Sequence, residues 1–142
     1  MTTTAVRVHT LPLHPLHALL LAGSLSLFIG ALLSDIAYYN SYEIQWANFA
    51  SWLLAGALVL SGLALLCALI GLFRVERRQG PALVYFLVLL ATWVLGFINA
   101  LVHARDAWAV MPTGLILSVI VTVLILAATW LGFFSLRAGG VQ

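Results

Sequence analysis

Six polar residues, His14, His17, Ser24, Asp35, Asn99 and His103, stand in stretches of the chain that are otherwise almost wholly apolar. Their types fit proton transfer and ligand binding. An imidazole changes charge near neutral pH, a carboxylate can share its proton, and an amide can bond a carbonyl or hydroxyl. An ionisable side chain at membrane depth is costly and by default marks a pathway or a site. The spacing is ordered as well. His14, His17, Leu21, Ser24, Phe28, Ala31 and Asp35 follow alternating steps of three and four. Thr92, Gly96, Asn99 and His103 do the same, and so do Ser118, Thr122, Ile125, Thr129 and Gly132. Such steps keep each set on one helix face, the seam of a left-handed bundle. Close packing of membrane helices accounts for the small and hydroxyl residues. For the histidines, Asp35 and Asn99 a site weighs evenly against packing, because packing alone has cheaper solutions.

The elements that position these residues must be membrane helices. Hydrophobic residues make up 64% of the 142-residue chain and charged residues 7%, with a mean hydropathy of +1.15. Four stretches, roughly 16–38, 49–73, 82–103 and 114–135, meet the need for about 20 apolar residues to cross a bilayer core. Asn40-Ser41, Arg78-Gln79-Gly80-Pro81, and Arg105-Asp106 with Pro112-Thr113-Gly114 punctuate them. The backbone inside lipid must satisfy its own hydrogen bonds, so the spans are helices. The expected fold is all-α, a single membrane domain over 1–142 folded as an up-down-up-down four-helix bundle. The first span is too long for a signal-peptide core and lacks a small-x-small cleavage site, so it reads as a retained helix.

Charge sets orientation and removes some functions. One side holds Arg7, Arg74, Arg77, Arg78 and Arg137 against Glu76; the other holds Arg105 against Asp35, Glu43 and Asp106. The positive-inside rule then places both termini in the cytoplasm and the 39–48 and 104–113 loops outside. Tyr38, Tyr39, Tyr42, Trp46, Trp52 and Trp108 form an outer aromatic belt, while Trp93 and Trp130 lie deeper. The arginines make no nucleic-acid patch, and the single Cys67 supports neither a disulfide nor a thiolate zinc site. A zinc site from His9, His14 and His17 lacks an acidic or thiol partner. No phosphate-binding glycine loop, hydrolase nucleophile or carboxylate pair is present.

His14-Pro15-Leu16-His17, Ser34-Asp35 at the end of the first span, Thr129-Trp130-Leu131-Gly132 and Arg137-Ala138-Gly139-Gly140-Val141 together resemble the bacterial membrane proteins grouped as domain-of-unknown-function family 2231. The resemblance covers nearly the whole chain. It implies a four-span inner-membrane protein, a periplasmic sugar dehydrogenase as candidate partner, and a haem or quinone role. One departure is the absence of a histidine at the start of the third span, where this chain has Gly80-Pro81-Ala82; this weakens a ligand set carried over to the inner side.

Haem b held by two histidines is constrained by geometry. His14 and His17 lie on one helix and cannot take opposite axial positions of one iron. His17 and His103 sit at opposite faces, separated by roughly 20 residues of helix, or about 30 Å. Such a haem would need His9, Met111 or a homodimer. Two clusters remain. The inner one is His14 and His17, backed by Arg74, Arg77 and Arg78. The outer one is Asp35, Asn99, His103, Arg105 and Asp106, which could carry protons or bond a quinone. The plain alternatives are headgroup anchoring for the first and a structural ion-pair network for the second. The reading is a non-enzymatic membrane subunit or adaptor, redox-linked and partnered with a periplasmic dehydrogenase. The alternatives are a small transporter or channel, or a structural scaffold.

Overall fold

The computed structural model describes residues 14–74 and 79–135. Four helices follow one another: α1 (Pro15–Ser41), α2 (Ile44–Arg74), α3 (Gln79–His103) and α4 (Thr113–Trp130). A 3₁₀ turn at Ala107–Ala109 lies between α3 and α4, and a π turn, Leu131–Ser135, continues α4. All four are long and apolar enough to cross a membrane, and the described residues contain no strand. The start of α1, the end of α2, the start of α3 and the end of α4 lie at one end of the bundle, the terminal end. The α1–α2 join and residues 104–112 form the other, the loop end.

The expected spans are present, and the difference lies at the first join. A break around Asn40-Ser41 was expected, yet α1 runs through both residues and α2 starts at Ile44. Local hydrogen bonding explains the extension. Asn40 Nδ2 donates to the Ile36 carbonyl at 2.9 Å and Ser41 Oγ to the Ala37 carbonyl at 2.7 Å, so both polar side chains fold back on their own helix. Termination comes at Tyr42, whose φ of 54° is left-handed and whose N–H donates to the Tyr38 carbonyl at 2.7 Å, an αL cap. At the other end of α1, Pro15 occupies the first turn, where a missing N–H costs nothing.

Each helix packs mainly against two neighbours, in the ring α1–α2–α3–α4, and α1 and α3 meet across the diagonal. Small residues set the α1–α2 distance. A Cβ added at Gly23 would lie 2.8 Å from Leu60 Cδ1, and one at Gly56 would lie 3.1 Å from Leu27 Cδ1. The buried stripe of α2, Ala47, Ala50, Leu54, Ala57, Ser61 and Ala64, is correspondingly slender, which lets backbones approach without a hydrophobic driving force between helices. Leucine, isoleucine, valine and phenylalanine side chains are exposed around the outside, as lipid contact requires.

The buried residues of α1 and α3 form matching layers. His17, Leu21, Ser24, Phe28, Ala31 and Asp35 lie opposite Tyr85, Leu89, Thr92, Gly96, Asn99 and His103, and all twelve are buried. The hydrogen-bonded pairs at the two ends, His17–Tyr85 and Asp35–His103, are both separated by 68 positions. The parallel helices therefore keep one register over about 27 Å.

Candidate functional site

The centre of the bundle is closed to polar traffic. Ser24 donates to the Leu21 carbonyl at 3.0 Å, Thr92 to Val88 at 2.8 Å and Ser61 to Ala57 at 2.7 Å. These hydroxyls of the polar stripe satisfy themselves on their own helices. Between them Leu21, Phe28, Leu54, Leu89, Val121 and Ile125 are at most 1% exposed. Chemistry is left to the two ends.

At the loop end, helices α1, α3 and α4 each contribute to one buried network. Asp35, fully buried, receives His103 Nε2 on Oδ1 at 2.7 Å. The Ser118 hydroxyl donates to its Oδ2. Asn99 Nδ2 in turn donates to Ser118 Oγ at 2.8 Å. His103 Nδ1 lies 2.9 Å from the Asn99 backbone carbonyl. A carbonyl only accepts, so Nδ1 carries a hydrogen, and the Nε2···Oδ1 contact shares one further proton. The pair is either imidazolium with carboxylate or imidazole with carboxylic acid, and both forms are neutral overall. Asn99 Oδ1 is buried without a hydrogen-bond partner among the described residues, a cost the fold would ordinarily avoid.

Gly114 brings α4 against this network. A Cβ there would sit 2.7 Å from Val110 Cγ1 and 2.9 Å from His103 Cε1, so only glycine permits the approach. Beside it, a cleft of about 470 Å³ opens at the loop end, lined by His103, Arg105, Val110 and the α2 residues Gln45, Asn48 and Ser51. His103 thus borders the cleft with a side chain only 1% exposed, while it bonds the fully buried acid. Above the site, Tyr38 is only 2% exposed; its hydroxyl donates to the Ala107 carbonyl at 3.0 Å. Tyr42 packs edge-on against Tyr38 and stacks on Trp108 with centroids 6.1 Å apart. Tyr38 is therefore a tie to the 104–112 segment and not part of a lipid-facing belt. Tyr39, Tyr42, Trp52 and Trp108 remain exposed.

Of the outer cluster read from the sequence, Asp35, Asn99 and His103 come together. Arg105 and Asp106 are exposed in the following segment. The ion pair found among the described residues is that of Asp35 with His103, and Arg105 does not share it. The inner cluster separates. His17 is buried and shares a 2.6 Å hydrogen bond with the Tyr85 hydroxyl, while exposed His14 caps α1 by accepting the Leu16 N–H at 3.3 Å. His9, Arg7, Arg77, Arg78 and Arg137 lie outside the described residues. Trp93 packs between helices, donating to the Leu58 carbonyl at 3.1 Å.

Two participants escaped the sequence reading. Ser118 was assigned to packing, but it donates to the carboxylate. Tyr85 was not singled out, although stepping back by three and four from Thr92 along the α3 seam reaches Leu89 and then Tyr85. The sequence places Gln45 and Asn48 in a loop, and the structure puts both on the first turns of α2.

Haem b does not fit His17 and His103 as placed. Both ring nitrogens of His103 are hydrogen-bonded, His17 gives Nε2 to Tyr85, and the two histidines lie at opposite ends of the bundle. The described residues contain no group of three or more His, Cys, Asp or Glu side chains able to hold a metal ion.

Neither the curated proteins nor the solved structures give a match. Residues 13–138 match the family described as "Predicted membrane protein (DUF2231)". With nearly the whole chain matched and four apolar helices in its fold, this protein belongs to the DUF2231 family of predicted membrane proteins.

Proposed function

We propose that this protein is a non-enzymatic subunit of the bacterial inner membrane that takes up and releases a proton at the Asp35–His103 pair on the outer face, in support of a redox partner. One observation carries the reading: His103 lines the loop-end cleft while bonding an acid with no exposure of its own. A pair so placed can exchange a proton with the outer side and hold it away from bulk water. The arginine bias supports an orientation with the termini in the cytoplasm and the cleft in the periplasm. A periplasmic dehydrogenase delivering electrons to the quinone pool is a partner whose chemistry releases protons on that side. A quinone carbonyl or hydroxyl would meet the cleft's amide and hydroxyl side chains. A through-membrane path is the weaker reading, because the closed apolar layers separate the two ends.

Infrared difference and ¹⁵N-histidine spectra of the protein in liposomes test this. The Asp35 carboxyl and His103 ring signals should respond to pH changes imposed on the loop side and ignore changes on the terminal side. Signals fixed at every pH, or responding from the terminal side, would overturn the proposal.

A further inference from the structure

We infer that the loop-end cleft is a binding site for a singly charged oxyanion, a carboxylate or a phosphodiester, and that anion and proton bind together. The inference deepens the proton-exchange reading and rests on it. The cleft's polar lining consists of Gln45, Asn48, Ser51, His103 and Arg105, with no carboxylate among the described lining residues. Arg105 offers a planar fork of donors suited to an oxyanion, and Gln45 and Asn48 supply amide N–H groups one helical turn apart. The opening lies at the first turns of α2, whose N-terminus adds partial positive charge, offset by the exposed Glu43 just before it.

The neighbouring network can supply the matching charge. In the resting arrangement the Asp35–His103 pair is neutral. A second proton on Asp35 Oδ2 turns that oxygen into a donor to Ser118 Oγ. Ser118 then directs its own hydrogen toward Asn99. The Asn99 amide turns to present Oδ1, the buried acceptor that otherwise has no partner. The pair becomes imidazolium with carboxylic acid, a net positive charge bordering the cleft, and an anion there stabilises it. By linkage, each ligand strengthens the other. Few other titratable groups face the pair. Tyr38 lies one turn on along α1, Glu43 precedes α2, and Arg105 and Asp106 follow α3. From residue 44 to 73, α2 holds only Cys67, and α4 holds none from 113 to 130.

The test uses the full chain in maltoside micelles, which carry no phosphate, with methanesulfonate as a probe whose charge does not vary with pH. Side-chain NMR of Arg105, Asn48 and His103 should show saturable binding that tightens about tenfold as the pH is lowered. Arg105→Gln should weaken it about tenfold or more, and Asp35→Asn should remove the pH dependence while binding persists. Short-chain phosphatidylglycerol that displaces the probe identifies a lipid headgroup as the source; failure to compete identifies a soluble anion, and either supports the site. Absence of saturable binding, or unchanged affinity in Arg105→Gln, overturns the inference. If Asp35 and His103 titrate without anion binding, only the anion site fails. If they do not titrate at all, the proton-exchange reading fails with it.

Discussion

Single residues here are held by donor counting, and this makes their substitution effects unequal. Asp35, with no exposure to solvent, is hydrogen-bonded to His103 and Ser118. Asp35→Ala should cost about 3–5 kcal/mol, the usual penalty for breaking a buried pair and leaving its partner unpaired. Glu43→Ala, at an exposed acid in the α1–α2 join, should stay within about 0.5 kcal/mol. Thermal unfolding in detergent compares them, and equal small effects would make Asp35 an ordinary interfacial acid. At the other end, His17→Phe strands the buried Tyr85 hydroxyl and should cost about 1–3 kcal/mol. Adding Tyr85→Phe should recover much of that loss, since removing both partners leaves nothing unsatisfied. His14→Phe removes only a solvent-exposed cap bond and should cost about 0.5–1 kcal/mol. If His14→Phe were the more damaging of the two histidine changes, the assignment of His17 as the buried member would fall.

At the scale of the elements, the most legible features were those with contrast. A charged or amide side chain in an apolar run announces its face, and for that reason the α1 and α3 seams and the Asp35–His103 meeting could be read from steps of three and four. The α2 seam could not, because Ala47, Ala50, Leu54, Ala57 and Ala64 differ little from the rest of an apolar helix. Tyr85 was hidden for a related reason: a tyrosine near a span's end serves interfacial anchoring equally well. The join at 42–43 was misplaced because Asn40 and Ser41 satisfy their side chains within the helix, a choice that composition does not reveal. Glycines carry an element-level consequence that sequence leaves ambiguous. Gly114 and Gly71 look alike in sequence, but a Cβ at Gly71 meets nothing within 4 Å. Gly71→Ala should be neutral or stabilising by about 0.5–1 kcal/mol. Gly114→Ala should push His103 off Asp35 and cost about 1–3 kcal/mol, with a shifted His103 ring resonance as the local readout. An unchanged resonance would mean that the α4 approach does not position the imidazole.

For the whole molecule, the shared register of α1 and α3 makes two polar sites out of one stripe. Each end is tied across the diagonal, while the α2 and α4 sides are closed by small and aliphatic residues. Orientation then decides which site meets which compartment. An alkaline phosphatase fusion placed between Tyr42 and Glu43 should be active, and one at the C-terminus should be silent; the opposite pattern would put the cleft in the cytoplasm. Energetic independence of the ends follows from their separation. His17 and Asp35 lie 18 positions apart on α1, or about 27 Å, and the layers between them make no continuous hydrogen-bonded chain. Substitutions that far apart add within about 0.3–0.5 kcal/mol unless a shared two-state element couples them. The double variant His17→Phe with Asp35→Asn should therefore lose stability equal to the sum of the single losses, measured by thermal unfolding of the four proteins. A coupling energy above about 1 kcal/mol would show that the two ends communicate through the apolar centre. The one-sided exchange reading would then give way to a path across the membrane.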